Sequence, residues 1–353
     1  METEDLLQKP LVAVVILSWN GKHFLEKFLP SVLHSSYKPL DIYVADNAST
    51  DDTHTFLAQQ YPSIKCIRIP KNEGFAKGYN IALQQVHADY AVLLNQDVQV
   101  TEHWIEPLVE MMQSNEYIAA CQPKIKAYDD KTMFEHAGAA GGYIDMFGYP
   151  FCKGRLFKLQ EKDEGQYDNA EEIFWASGAA MCVRLDLYKR YKGFDESFFA
   201  HMEEIDLCWR WKKAGYKIMY APQSEVYHVG GGSLQKDNPK KIYLNFRNNL
   251  FMLCKNLELY EVIWKLPFRF FILDTIAFFK AVFERKWGEA RAIFRSDVSF
   301  ILAIPFLVKK RVETFVIFWK HRIDPSRVKE KGYYGKSLVW QFFVRKKRKF
   351  TEL

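Results

Sequence analysis

The chain lacks most of the features that settle a protein's class at once. Its six cysteines are scattered over 353 residues with no C-x-x-C pair. That excludes a disulfide framework and a cysteine-based zinc site, and it points to a reducing compartment. No run of about 20 apolar residues occurs, the length a spanning helix needs. The most apolar stretch, 268–283, is interrupted by Arg269, Asp274 and Lys280. The acidic, polar start of the chain is no signal peptide. There is no long-period repeat, no low-complexity tract, and no glycine-rich basic loop after the first predicted strand. The last absence argues against a nucleotidyltransferase of the phosphate-loop type.

What is present is a folding composition, with 48% apolar and 26% charged residues. The net charge of +6 conceals an asymmetry. Residues 1–239 carry 24 Lys/Arg against 33 Asp/Glu, and residues 240–353 carry 25 against 10. An acidic body is thus followed by a basic, aromatic tail, which disfavours a uniformly basic nucleic-acid binder.

Along the body, LVAVVIL at 11–17 is a continuous β-branched run that reads as a buried parallel strand. Helical spacing follows over 22–36, then strands at 41–45 and 64–69. A helix opened by Asn72-Glu73-Gly74 comes next, then the strand YAVLL at 90–94. This β-α-β-α rhythm predicts a doubly wound, mostly parallel sheet with helices on both faces. Ligands bind such sheets at the carboxyl ends of the strands, where Asp46 and Asp97 fall. The polar stretch 150–170 reads as a mobile loop, 175–184 as a strand, and 203–214 as a helix closed by Gly215. Short strands are expected at 217–221 and around Val226-Tyr227-His228.

Each candidate residue has an ordinary reading beside the chemical one. Asp46 suits a turn or helix cap as well as a contact to a base or sugar. Asp97 can end a strand or hold Mg²⁺ or Mn²⁺, ions that take oxygen ligands and complete their shells with water and phosphates. His228 can be structural or a further ligand. Glu203, Glu204 and Asp206 can complement a helix macrodipole. Crowded carboxylates near a cleft also raise one another's pKa, which suits proton abstraction from a hydroxyl.

Together the segments VVILSWNG (14–21), VADNASTDDT (44–53), NEGFAKGYN (72–80), LLNQDV (93–98), ASGAAMCVR (176–184), GFDESFFAHMEEIDLCWRWKKAGY (193–216) and VYHVGGGS (226–233) resemble the family 2 glycosyltransferases of GT-A fold. The likeness covers about residues 11–250 and is nearest to bacterial rhamnosyltransferase-like members that build surface polysaccharide. It implies a catalytic domain over 1–240, with a nucleotide-sugar half (1–100) and an acceptor half (101–240). It implies contacts to the nucleotide from Ser18, Trp19, Asn20, Asp46, Asn72, Gly74, Lys77 and Asn95. Asp97 and His228 would hold Mg²⁺ or Mn²⁺, with Asn95 standing where the family's first Asp of Asp-x-Asp lies. Glu204 would be the base beside Glu203 and Asp206, with Arg210 orienting the cluster. Trp175, Ser177 and Gly178 would line the acceptor pocket. The implied reaction is inverting transfer of a sugar from dTDP-rhamnose or a UDP-hexose to a saccharide or lipid-linked saccharide. A catalytically inactive scaffold of a polysaccharide assembly complex is the rival reading.

Residues 241–353 alternate aromatic residues with Lys and Arg and end in RKKRK at 345–349. This pattern predicts helices that either lie in a membrane interface or pack on the body. The expected place is the cytoplasm, at the inner face of the cytoplasmic membrane.

Overall fold

A computed structural model describes residues 9–230, 238–323 and 331–353. The acidic start of the chain and Gly231–Ser233 of the glycine run lie outside the described residues. The first half alternates strand and helix: β1 (Val12–Ser18), α1 (Lys22–Leu33), β2 (Leu40–Asn47), α2 (Thr53–Gln60), β3 (Lys65–Ile69), α3 (Gly74–Gln84) and β4 (Tyr90–Asn95). β3, β2, β1 and β4 lie side by side in parallel register. Because side chains alternate across a strand, β1 feeds two cores at once. Ala13 and Val15 join the core under α3, while Val12, Val14 and Ile16 join the one under α1. All five are essentially fully buried, and each buried aliphatic side chain contributes about 1.5–3 kcal/mol.

The second half is more mixed than a purely parallel sheet. Its elements are β5 (Val98–Val100), α4 (Glu106–Gln113), β6 (Ile118–Ala127), β7 (Gly142–Asp145), β8 (Pro150–Cys152), β9 (Arg155–Leu156), β10 (Leu159–Gln160), β11 (Glu171–Ile173), β12 (Ala180–Arg184), α5 (Leu185–Arg190), α6 (Glu203–Lys213) and β13 (Lys217–His228). The main sheet has the order β11-β13-β6-β12-β4-β1-β2-β3, with β5 on β13. β12 runs antiparallel between β4 and β6. The two short strands expected at 217–228 are one strand, irregular between Ala221 and Glu225.

The stretch 150–170 is not a bare loop. β7 to β10 form a small second sheet, and Lys124 grips the segment by ion pairs to Asp163 and Asp168. Its polar residues are split between this salt-bridge network and solvent, with the Asp163 side chain buried and most of 164–170 exposed.

The basic tail is helical and is bound to the body at both ends. α7 (Pro239–Asn256) is capped by Asn238, which accepts a hydrogen bond from Lys240 N. α8 (Leu259–Phe268), a π-helical turn (Arg269–Asp274), α9 (Thr275–Phe283) and α10 (Trp287–His321) follow. α10 runs beside α7: Gly288 lies near Pro239, Tyr243 bonds Ser299, and Arg311 donates to the carbonyls of Cys254 and Leu257. After it, β14 (Tyr333–Tyr334) pairs with β7 and extends the small sheet.

Among the described residues, every exposed large apolar side chain except Trp19 and Leu159 lies within 259–344. No described helix is long and apolar enough to cross a membrane.

Candidate active site

The carboxyl ends of β1, β2 and β4 are knitted together by side chains. Ser18 Oγ and Trp19 N both donate to Gln96 Oε1, at 2.8 and 3.2 Å. A Cβ on Gly21 would overlap that oxygen and Ser18 Oγ, so a larger residue there would displace the Ser18–Gln96 bond. Asn20 N donates to Ser49 Oγ, and Asn20 Oδ1 accepts from Thr50 N. Asp46 is buried and accepts from Ser49 N at 2.9 Å, so it holds the loop it ends. The Trp19 ring, 44% exposed, stands open at this edge, a shape that suits stacking on a base.

Asn47 anchors the next loop. Its Oδ1 accepts from Glu73 N, and its Nδ2 donates to Gly74 O and Asn72 Oδ1. Asn72 Oδ1 also accepts from Gly74 N. Gly74 has φ +76°, and a Cβ there would strike Phe199, so both conformation and space require glycine. Lys77 is paired with Glu73 at 3.1 Å and reaches no other predicted residue.

A second corner forms where β4 passes to β5 and β13 ends. His228 Nε2 lies 3.2 Å from Asp97 Oδ1 and 3.5 Å from Asn95 Nδ2, and its Nδ1 lies 3.4 Å from Glu135 Oε2. Asp97, Glu135 and His228 are all buried. Burial lowers the imidazole's pKa, but Glu135 and Asp97 outweigh it and raise it to about 10. Burial likewise pushes the Asp97 carboxyl up, and the His228 charge more than reverses this, leaving it below the ordinary value.

The pair fits a divalent ion. Nε2 and Oδ1 are both ligand atoms for such an ion and meet at one corner; as a 3.2 Å ion pair they share a proton that the metal would displace, since a ligating imidazole is neutral. Glu135 behind Nδ1 is the carboxylate that typically orients a ligating imidazole. Among the described residues no group of three or more His, Cys, Asp or Glu side chains forms a complete protein cage. Two ligands plus water and phosphate oxygens would be the shell.

The acidic corner is built by an unusual turn. Phe199, His201 and Met202 all have positive φ (65°, 73° and 75°) immediately before α6. The turn lies on the start of α3, where Phe75 N and Ala76 N donate to Phe199 O. α6 then opens with Glu203 and Glu204, each with a buried Oε2 that has no hydrogen-bond partner. Burial, then the neighbouring Glu204, drives the Glu203 carboxyl well above its usual pKa. Burial raises Glu204 to about 7. The less perturbed Glu204 therefore ionises first, beside a protonated Glu203.

Asp206 has a different occupation. Wholly buried, it pairs with Arg210 at 2.9 Å and Lys255 at 2.9 Å, and it accepts from Asn256 Nδ2. Its oxygens bind α6 to α7, so the expected three-carboxylate cluster resolves into a pair and a structural node. Arg210 holds Asp206 and the carbonyls of Tyr191 and Gly193, not the Glu pair.

The residues expected to line an acceptor pocket are buried. Trp175 Nε1 donates to Tyr143 O, and Ser177 Oγ donates to Ala137 O and accepts from Ala179 N. A Cβ on Gly178 would press on Phe75. Their polar groups shape the entry to β12, next to Asn95, whose N donates to Ala179 O. Sequence reasoning missed Asn47, Gln96 and Glu135. Asn47 and Gln96 adjoin residues it chose; Glu135 carries no local signal.

This mixed sheet with its three-cornered carboxyl edge has the GT-A fold, as in solved glycosyltransferases. Residues 13–181, just under half of the chain, match the model of glycosyl transferase family 2. The chain is 25% identical over 283 residues to the N-acetylglucosaminyl-diphospho-decaprenol L-rhamnosyltransferase of Mycobacterium tuberculosis, covering 76% of this chain and 91% of the relative. It is 25% identical over 227 residues to the rhamnosyltransferase WbbL of Escherichia coli, covering 62% and 83%. Among solved structures it resembles GalNAc-T7 with UDP, GalNAc and Mn²⁺ (TM-score 0.54, 16% identity, 72% of this chain), of which it spans about half (49%). It also resembles the mannosyltransferase PcManGT from Pyrobaculum calidifontis with GDP-Man and Mn²⁺ (TM-score 0.51, 13% identity, 89% and 88% of the two chains).

Proposed function

We propose that the protein is an inverting, metal-dependent glycosyltransferase. It would move a sugar from a nucleoside-diphosphate donor, dTDP-rhamnose or a UDP-hexose, to a hydroxyl of a saccharide or lipid-linked saccharide during cell-surface polysaccharide synthesis. The observation that carries this reading is the Glu203–Glu204 pair. Its unpartnered buried oxygens sit on a turn docked against the Asn72–Gly74 loop at the sheet's carboxyl edge.

Trp19 and Asp46 face the base and ribose in this reading. Asp97 and His228 hold Mg²⁺ or Mn²⁺, which when bound supplies positive charge to the departing diphosphate. Glu204, ionised beside a neutral Glu203, accepts the proton of the acceptor hydroxyl as that oxygen forms its bond to the anomeric carbon. The buried setting of both carboxyls excludes water that would otherwise solvate Glu204 and weaken it as a base. Two features support a lipid-linked acceptor: the similarity to a rhamnosyltransferase named for a diphospho-decaprenol substrate, and the exposed apolar side chains of 259–344. These, with the exposed cations Arg345, Lys346, Arg348 and Lys349, suit peripheral contact with the inner face of an anionic membrane.

The test is to incubate the protein with Mg²⁺ and a panel of nucleotide sugars plus a lipid-diphosphate GlcNAc acceptor, and to measure diphosphate release. Release from one donor that depends on acceptor is expected. No release with any donor in a folded, nucleotide-binding protein would favour the scaffold reading.

A further inference from the structure

The turn that delivers the Glu pair is strained, and the groups restraining it come from outside the catalytic sheet. Three residues other than glycine with positive φ in four positions persist only where the surroundings over-determine them. The restraint is on α7. Asn248 is wholly buried, and its Nδ2 donates to the carbonyls of Phe198 (2.9 Å), Ala200 (2.9 Å) and His201 (2.8 Å). An amide carries only two N–H groups, so the three carbonyls converge on one nitrogen through shared bonds. Asn248 Oδ1 is in turn held by Arg247, through Nε at 2.9 Å and Nη2 at 2.7 Å. The same guanidinium donates to Ser197 O and Phe198 O. The pair thus binds every carbonyl from 197 to 201 except that of Phe199, which is spent on α3.

We infer that Asn248, backed by Arg247, is a positioning residue for transfer: it holds the 197–202 turn in the one conformation that sets Glu203 and Glu204 against the acceptor. The inference rests on the proposed function above. It extends the catalytic apparatus into α7, beyond the residues 13–181 that carry the family match. The selectivity of the contacts supports it. They fall on the turn's backbone, while the turn's contact with the donor loop runs through Phe199, whose carbonyl is held by α3 and not by Asn248, so loosening them acts first on the Glu pair. An amide is also the group the task requires. It donates to several carbonyls at once and accepts from Arg247, whereas the isosteric carboxylate would face those carbonyls with no proton.

The experiment compares the full chain with Asn248→Ala, Asn248→Asp and Arg247→Ala. It measures kcat, the dissociation constant of the nucleoside diphosphate with Mg²⁺, and the dependence of kcat on pH. The Asn248 variants are expected to lose about 10²-fold in kcat, the scale of a small misplacement of reacting groups, while nucleotide affinity stays within about 3-fold. The Asp variant should be the worse of the two. The acid limb of the kcat profile should move to lower pH, because a loosened turn admits water to the carboxyls. An unchanged kcat and acid limb, or a parallel loss of kcat and nucleotide affinity in folded protein, would overturn the assignment. If the Asn248 variants do not fold, Arg247→Ala decides. Arg247 is only partly buried, and the expectation is a loss of about 10-fold in kcat with the same shift of the limb; wild-type behaviour overturns the inference. A wild-type chain inert toward all donors would instead refute the proposed function.

Discussion

Replacing Glu204 by Gln separates the chemistry of the site from its stability. Burial holds the Glu204 carboxyl at about 7 against an ordinary 4.5. Between those values the folded chain keeps a proton that the unfolded chain has released, so stability falls as pH rises through that window. A displacement of 2.5 pKa units corresponds to a cost on the order of 3 kcal/mol at pH 8. Glutamine has the same shape and never ionises, so the cost disappears. For a chain of this length, with about 2.1 cal/mol/K of unfolding entropy per residue, that is a gain of roughly 4 °C in Tm. At pH 4.5 the folded carboxyl is protonated and the unfolded one half so, which leaves only a few tenths of a kcal/mol between the two proteins, and they should melt almost together.

Activity should move the opposite way. With its carboxyl at about 7, Glu204 is mostly protonated at pH 5 and mostly ionised at pH 8, so wild-type kcat should rise with pH up to about 7 and level off above it. The Gln variant should lose about 10²–10⁴-fold, the range of general-base catalysis, while still binding the donor nucleotide. Diphosphate release from pH 5 to 9 and calorimetric melts at pH 4.5 and 8 measure both sides. Full activity of the variant, a flat wild-type profile, or a variant less stable than wild type at pH 8 would each refute Glu204 as a buried base.

Other perturbations probe the remaining corners. EDTA should stop turnover and Mg²⁺ or Mn²⁺ restore it; chelator-resistant turnover would remove Asp97 and His228 from the metal role. Asp206→Ala strands Arg210 and Lys255 without their buried partner, and should cost about 3–5 kcal/mol in a denaturant titration. A loss of turnover without loss of stability would instead return Asp206 to the chemistry. In flotation, the protein should rise with anionic vesicles and stay behind with neutral ones, more so at low salt; no binding to either would leave the tail as a packed subdomain.

Most of the sheet was legible because its signal is local. A continuous β-branched run such as 11–17 has few solutions other than a strand buried on both faces, and Asp46 and Asp97 follow from where such runs stop. Polar pairings have no such periodicity. Glu135 meets His228 across 93 residues of chain, and Asp206 meets Lys255 and Asn256 about 50 residues on. No spacing rule connects them, and a carboxylate awaiting a distant lysine looks the same as one awaiting a substrate. That is why Asp206 was grouped with the Glu pair, and why the polar 150–170 stretch read as mobile although Asp163 and Asp168 tie it to Lys124.

The tail shows the same effect from the other side. Read by charge, residues 240–353 are an appendage to an acidic body. Yet α7, a helix carrying four asparagines between 245 and 256, gives Asn248, Lys255 and Asn256 to the turn and helix that hold the Glu pair. Asparagine is a weak helix former, so its recurrence there had a signal, one that marks polar duties on a buried face rather than any particular partner. Part of the basic excess is therefore structural, with Arg247 and Lys255 restraining the 197–202 turn and α6, and the rest is exposed beside the apolar faces of α8 to α10, where flotation tests what it meets.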